Sequence, residues 1–195
     1  MGPLLFLIFI NDLSNISSLL NCVFFADDSN FFLSHSDRFT LYSLANEMLL
    51  NLYKYCSANK LIINYEKCCY IEFNQDQSDT NAYMLSILNY TLSKIDKCKF
   101  LGVYINNKLD WRDHINHVRS LVAKSTGAIT SIKAFVPQKI LRKIYFALVQ
   151  PYLTYCIQIW GSCQTSTEFN KLFLMQKKCI RIITNKTLKI DHHFQ

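Results

Sequence analysis

The sequence predicts an α+β fold, in which an antiparallel hairpin and short strands packed with helices are followed by an all-α region. Three observations predict it. Glycine (4) and proline (3) are scarce among 195 residues, which leaves few tight turns and favours helices. Apolar runs rich in β-formers, separated by short polar centres, lie in the first part of the chain. From Trp111 onward the apolar residues recur every three or four positions, the helical period.

The elements follow in order. Residues 3 to 13 read as a buried helix. Asn21-Cys22-Val23-Phe24-Phe25 and Asn30-Phe31-Phe32-Leu33 flank Ala26-Asp27-Asp28-Ser29, a hairpin pattern. A helix over about 38 to 58 carries an inward stripe of Leu41, Leu44, Met48, Leu52 and Tyr55. Short strands fit Leu61 to Asn64, Tyr70 to Phe73 and Phe100 to Ile105, with a polar loop at 74 to 81. One later helix is marked by Ile115, Val118, Val122, Ile129 and Ile132, and a second by Ile140, Ile144 and Leu148. Pro151 limits the second, because proline disfavours helical geometry in the residue before it. The third opens on a capping box, Thr165 with Glu168, ahead of Phe169, Leu172, Phe173, Gln176 and Ile180. A boundary at 107/108 divides the mixed part, 1–107, from the helical part, 108–195.

Half of the chain is hydrophobic and 18% is charged, which excludes disorder and low-complexity classes. The formal charge of +7 is unevenly placed. The first fifty residues hold one basic side chain against five acidic, whereas residues 101 to 150 hold eight against two. Such asymmetry suits a protein that gathers carboxylates at one site and meets a polyanion elsewhere; it also fits lysine-rich helices with solvated faces. Eight cysteines include no CxxC pair, so structural zinc is not expected and a reducing, intracellular compartment is. The run Pro3 to Ile10 lacks a basic flank and is too short for a membrane span, so it is expected to be core and no membrane partner is expected.

Phe25-Ala26-Asp27-Asp28 is the sharpest chemical feature. Adjacent carboxylates in a straight strand face opposite ways, but a turn can present both to one cavity, where hard divalent cations take oxygen ligands. Asp-Asp at a turn also arises simply because Asp tolerates turn conformations. His114 and His117 stand at i, i+3 without an accompanying Cys or carboxylate cluster, which fits packing or a phosphate contact better than a metal.

The order of motifs adds what no single one carries. Gly2-Pro3-Leu4-Leu5-Phe6 with Asn11-Asp12-Leu13, then Phe25-Ala26-Asp27-Asp28, Asn59-Lys60-Leu61 with Asn64 and Lys67, Lys99-Phe100-Leu101-Gly102-Val103, and Trp111 with His114-Ile115 resembles the reverse transcriptases of non-LTR (LINE-type) retrotransposons. Ile144-Tyr145, Pro151-Tyr152-Leu153, Tyr155-Cys156, Trp160-Gly161 and Gln176-Lys177-Lys178 resemble the family's region beyond the palm. The resemblance implies that residues 1–107 are a partial palm and 108–195 a helical, thumb-like region. It implies that Asp27 and Asp28 bind Mg²⁺ or Mn²⁺ and that Lys67 assists the departing pyrophosphate. Gly2 and Pro3 then lie beneath the templating base, and Phe100, Leu101 and Gly102 form a primer grip. Lys124, Lys133, Arg142, Lys143, Lys177, Lys178 and Arg181 become phosphate contacts.

The same resemblance implies partners: an RNA template, a DNA primer and a dNTP in the full-length enzyme, together with an N-terminal polymerase segment that bears the fingers and a further palm aspartate. Without that aspartate two carboxylates bind Mg²⁺ poorly, so the fragment is expected not to polymerise alone. The alternative is a non-catalytic nucleic-acid-binding remnant, or a relic without selected function. Either would reside in nucleus or cytoplasm and would not be secreted.

Overall fold

A computed structural model describes residues 2–16, 21–26, 28–73, 83–162 and 167–184. The chain divides into two units, Met1–Ile95 and Asp96–Gln195. The strands of residues 97 to 106 therefore belong with the helices that follow them, whereas the change of hydrophobic period alone places the boundary after them.

The first unit opens on helix α1 (Gly2–Ile10) and a 3-10 segment, Asn11–Ile16. Strands β1 (Asn21–Phe25) and β2 (Asp28–Phe32) form an antiparallel pair in the register Phe25↔Asp28 and Cys22↔Phe31. The connection is thus two residues long, and Asp28 and Ser29 belong to the strand rather than the turn. Helix α2 (Arg38–Ala58) starts where the Asp37 carboxylate accepts the Thr40 N–H at 2.7 Å, satisfying a donor that the first helical turn leaves free. Its end is marked by Lys60 at φ 57.

Short strands follow: β3 (Cys69–Tyr70), β4 (Ser86–Ile87), β5 (Tyr90–Thr91) and β6 (Ser93–Lys94), with β3 parallel to β6 and β4 antiparallel to β5. The segment Leu61 to Asn64 forms no strand. Ile62 is almost wholly exposed, so its alternating pattern finds no partner to pair with. Leu49, Ile87 and Leu92 are buried together, with Met48, Leu52, Tyr53 and Tyr70 packed round them.

Two further expectations are corrected in this unit. The buried stripe of α2 is Tyr42, Ala45, Leu49 and Cys56, one position C-terminal to the aliphatic stripe of the sequence reading. Tyr42 contributes to this: its ring is buried while its hydroxyl donates to Glu72 Oε2 at 3.0 Å. Nor is α1 core. Ile10 is buried, but Leu4, Leu5 and Ile8 are each more than 60% exposed.

The second unit begins with β7 (Lys97–Phe100) and β8 (Val103–Asn106), an antiparallel hairpin in the register Phe100↔Val103. The stretch read as one strand, Phe100 to Ile105, is therefore broken by a two-residue turn at Leu101-Gly102. Both have positive φ, 45° and 87°, the combination a tight I′-type turn requires. Helix α3 (Arg112–Ile132) follows and buries His114, Ile115, Val118, Val122, Thr126 and Ile129.

Helices α4 (Gln138–Leu148), α5 (Gln150–Thr154), α6 (Ile157–Trp160) and α7 (Thr167–Thr184) complete it. The inner face of α4 is Leu141 and Tyr145, continued by Val149; of the expected Ile140, Ile144 and Leu148, Ile144 packs against the same core while the other two are exposed. Tyr145 is again polar-tipped: it donates to Gln150 Oε1 at 3.1 Å and accepts from Gln176 Nε2 at 3.0 Å. On α7, Leu172, Cys179 and Ile183 are buried, while Phe173 and Ile180 are exposed. Thr165 of the expected capping box lies outside the described residues; Glu168 instead pairs with Arg119 at 3.0 Å and Lys171 at 2.8 Å.

Candidate nucleic-acid interface

The Asp-Asp feature sits on the first hairpin. Ala26 holds φ 52, a left-handed conformation that costs a non-glycine residue about 1 to 2 kcal/mol, and this lets the chain reverse within two residues. Asp28 is exposed, and no side chain among the described residues pairs with it. Asp27 lies outside the described residues. Phe24 and Phe31 meet edge to face at 6.1 Å on one side of the hairpin, whereas Phe25 and Phe32 are exposed.

Lys67 closes the 3-10 turn Tyr65–Lys67, its N–H donating to Asn64 O at 3.2 Å. Its side chain is exposed, and no hydrogen bond or ion pair joins it to Asp28. Gly2 and Pro3 start α1. Among the described residues no group of three His, Cys, Asp or Glu side chains could hold a metal ion.

The Leu101-Gly102 turn is built more firmly. The Tyr155 hydroxyl donates to the Leu101 carbonyl at 2.6 Å, and the Tyr155 ring lies over Gly102, where an added Cβ would meet Cε1 at 3.3 Å. The Tyr155 carbonyl in turn accepts the indole N–H of Trp160 at 2.8 Å. Trp160 is 1% exposed and packs against His114 at 5.4 Å between ring centroids. His114 Nδ1 accepts the Tyr104 N–H at 3.3 Å, returning the chain of contacts to β8. Burial pushes the His114 pKa down, with the neighbouring His117 adding to it, so the neutral ring fits this acceptor role. The i, i+3 histidine pair is thus divided: His114 packs and His117 lies nearer the surface. Leu101 and Phe100 are half-buried and Gly102 is exposed, so the turn offers backbone rather than apolar side chains to a ligand.

The cations of the second unit sort into two groups. Lys97 pairs with Asp113 at 2.8 Å, Arg112 with Asp110 at 3.1 Å, and Arg119 and Lys171 with Glu168. Lys124, Lys133, Arg142, Lys143, Lys177, Lys178 and Arg181 are exposed, and no carboxylate among the described residues pairs with any of them. Arg142 lies over Phe146 at 5.8 Å and Lys177 over Phe173 at 4.4 Å, arrangements that hold the side chains without neutralising them. Lys99 is exposed and equally free of a carboxylate, and the sequence reading placed it only within a motif. Its signal was the alternation Lys97-Cys98-Lys99, which puts both lysines on one face of β7, one paired and one not.

The second unit is thus a hairpin-and-helix body on which the charged side chains left without a carboxylate are lysines and arginines. The chain is similar to the RNA-directed DNA polymerase from mobile element jockey of Drosophila funebris, with 30% identity over 127 residues. That match covers 63% of this chain and 13% of the polymerase, so the chain spans a small part of its relative's length. It supports a relationship to the reverse transcriptases of non-LTR retrotransposons. No family model matches the chain, and no solved structure matches it. Among the described residues no helix is long and apolar enough to cross a membrane.

Proposed function

We propose that the chain is a palm-and-thumb segment of an RNA-directed DNA polymerase from a non-LTR mobile element. In this reading Asp27 and Asp28 contribute to a Mg²⁺ or Mn²⁺ site whose remaining ligands come from elsewhere in a longer polymerase. Lys67 assists pyrophosphate departure, and Gly2 and Pro3 lie beneath the template. The Phe100-Leu101-Gly102 turn bears on the primer backbone, and the free cations from Lys124 to Arg181 hold template and primer through phosphates. The observation that carries this reading is the 30% identity with the mobile-element polymerase over 127 residues.

The test is primer extension with an RNA template, a DNA primer, dNTPs and Mg²⁺. The chain alone is expected not to extend the primer. A longer polymerase carrying this segment is expected to do so and to lose activity on Asp27→Ala. Full activity of that Asp27→Ala variant would overturn the metal-ligand assignment.

A second reading, a non-catalytic nucleic-acid-binding protein, draws support from the unpaired cations of the second unit. It predicts salt-sensitive RNA or DNA binding that survives loss of both aspartates, with no gain of synthesis in any longer context.

A further inference from the structure

Lys99, Tyr104 and His117 meet on one surface of the second unit, and Lys124 lies farther along the same helix as His117. Lys99 and Tyr104 are directly opposite across the β7–β8 pair. The Lys99 ammonium lies 5.9 Å from the Tyr104 ring centroid, and the Tyr104 ring meets His117 edge-on at 4.9 Å. Lys124 follows His117 by seven residues on α3, two turns along the same face. No carboxylate among the described residues pairs with Lys99 or Lys124, and the Tyr104 hydroxyl has no hydrogen-bond partner among them. Nearby Lys97 is already neutralised by Asp113.

We propose that Lys99, His117 and Lys124, with the Tyr104 hydroxyl, form a binding site for one backbone phosphate of a nucleic-acid strand. The proposal rests on the nucleic-acid reading above and names the residues that would make the contact beside the Leu101-Gly102 turn. Lys99 and Lys124 are cations without a carboxylate partner, and a phosphodiester is a counter-charge that both could share with the His117 ring. Position matters as well: Lys99 directly precedes Phe100, so a bound phosphate lies within a residue or two of the turn that Tyr155 holds.

The site has a signature that scattered lysines lack. Burial, then the charges of Lys99 and Lys124, hold the His117 pKa below its ordinary value. The groups facing it are Lys99 on β7, Tyr104 on β8, and His114 and Lys124 on α3, with the Lys97–Asp113 pair one turn before. A phosphate placed among them favours the imidazolium, so binding takes up a proton and tightens as pH falls.

The experiment measures binding of a fluorescein-labelled RNA–DNA hybrid by the full chain between about pH 5.5 and pH 8. Wild-type affinity is expected to rise severalfold toward the acid end, and His117→Gln to flatten that rise. Lys99→Ala with Lys124→Ala is expected to weaken binding at every pH and to lower the salt slope by about one. NMR titration of the His117 ring is expected to show its pKa raised by the unlabelled hybrid. An unchanged pH profile in His117→Gln, or an imidazole pKa that the hybrid does not move, would overturn the site while leaving general nucleic-acid binding intact. Absence of hybrid binding by every variant would instead overturn the nucleic-acid reading and this site with it.

Discussion

The hydroxyl of Tyr155 donates a 2.6 Å hydrogen bond to the carbonyl of Leu101, joining the tip of the β7–β8 hairpin to a residue 54 positions later. Leu101 carries φ 45, a conformation leucine adopts at a cost, and the bond from Tyr155 is one of the contacts that hold it there. Tyr155→Phe keeps the ring over Gly102 and removes the bond, and is expected to cost about 1 kcal/mol in urea unfolding. Gly102→Ala combines a positive φ with a 3.3 Å approach to the Tyr155 ring, and is expected to cost about 1 to 3 kcal/mol. If the turn bears on a primer, both variants also weaken hybrid binding at matched salt.

Ala26→Gly is expected to have the opposite sign. Ala26 sits at φ 52 in the two-residue connection of the first hairpin, where glycine removes the Cβ penalty but adds unfolded-chain entropy. The balance is a gain of about 0.5 to 1 kcal/mol, read as slower amide exchange across Asn21 to Phe32. Faster exchange there would show that the left-handed residue is not what limits the hairpin.

Glu72 ties the first unit to pH. Burial opposes its ionisation, but hydrogen bonds from Arg38 (2.7 Å to Oε1), Lys94 (2.5 Å to Oε2) and Tyr42 outweigh burial and hold its pKa down at about 2. A folded pKa below the unfolded value means that the stabilisation is complete above about pH 4.5 and is lost as pH falls toward 2. It amounts to something on the order of 2 to 3 kcal/mol for a side chain this well covered. Glu72→Gln is expected to lower stability at neutral pH and to flatten the acid limb of the unfolding curve. An acid limb of unchanged steepness in that variant would place the loss elsewhere.

The apolar surface of the first unit predicts self-association. Leu4, Leu5 and Ile8, neighbours on α1, are each more than 60% exposed, which is more apolar surface in one place than a single scattered side chain presents. Leu4→Glu with Ile8→Lys is expected to lower light scattering at a given concentration and to leave the unfolding free energy within about 0.5 kcal/mol.

Much of the fold is legible in the residues, and its errors have a common physical cause. The bounds of α2 agree with the sequence reading because Asp37 caps one end and Asn59-Lys60 closes the other. On α2 and α4 the fully buried positions, Tyr42 and Tyr145 among them, lie one residue beyond the expected stripes, because tyrosine buries its ring while its hydroxyl stays hydrogen-bonded. The turn at Leu101-Gly102 is hidden inside an apolar run, since leucine does not advertise a positive φ. Leu4, Leu5 and Ile8 read as core because hydrophobicity reports a need for cover and does not say whether the cover is in the same chain. Of the candidate site, the cations and the Phe100-Leu101-Gly102 motif could be named from sequence, though not the turn that the motif makes. The pairing that leaves Lys99 and Lys124 free while Lys97 and Arg119 are neutralised depends on which residues β7, α3 and α7 bring together.

The tie between Tyr155 and the Leu101 carbonyl also orders events in time. During synthesis the hairpin tip leaves the ribosome some 54 residues ahead of the side chain that holds it, and translation at about 5 to 20 residues per second makes that a wait of seconds. Through that interval the turn bears its backbone strain unaided. A nascent chain arrested before Tyr155 should therefore expose Phe100 to Val103 to protease, and one released past Trp160 should protect it. The hairpin is drawn early and locked late, so whatever it touches in the finished protein is withheld until the helices are made.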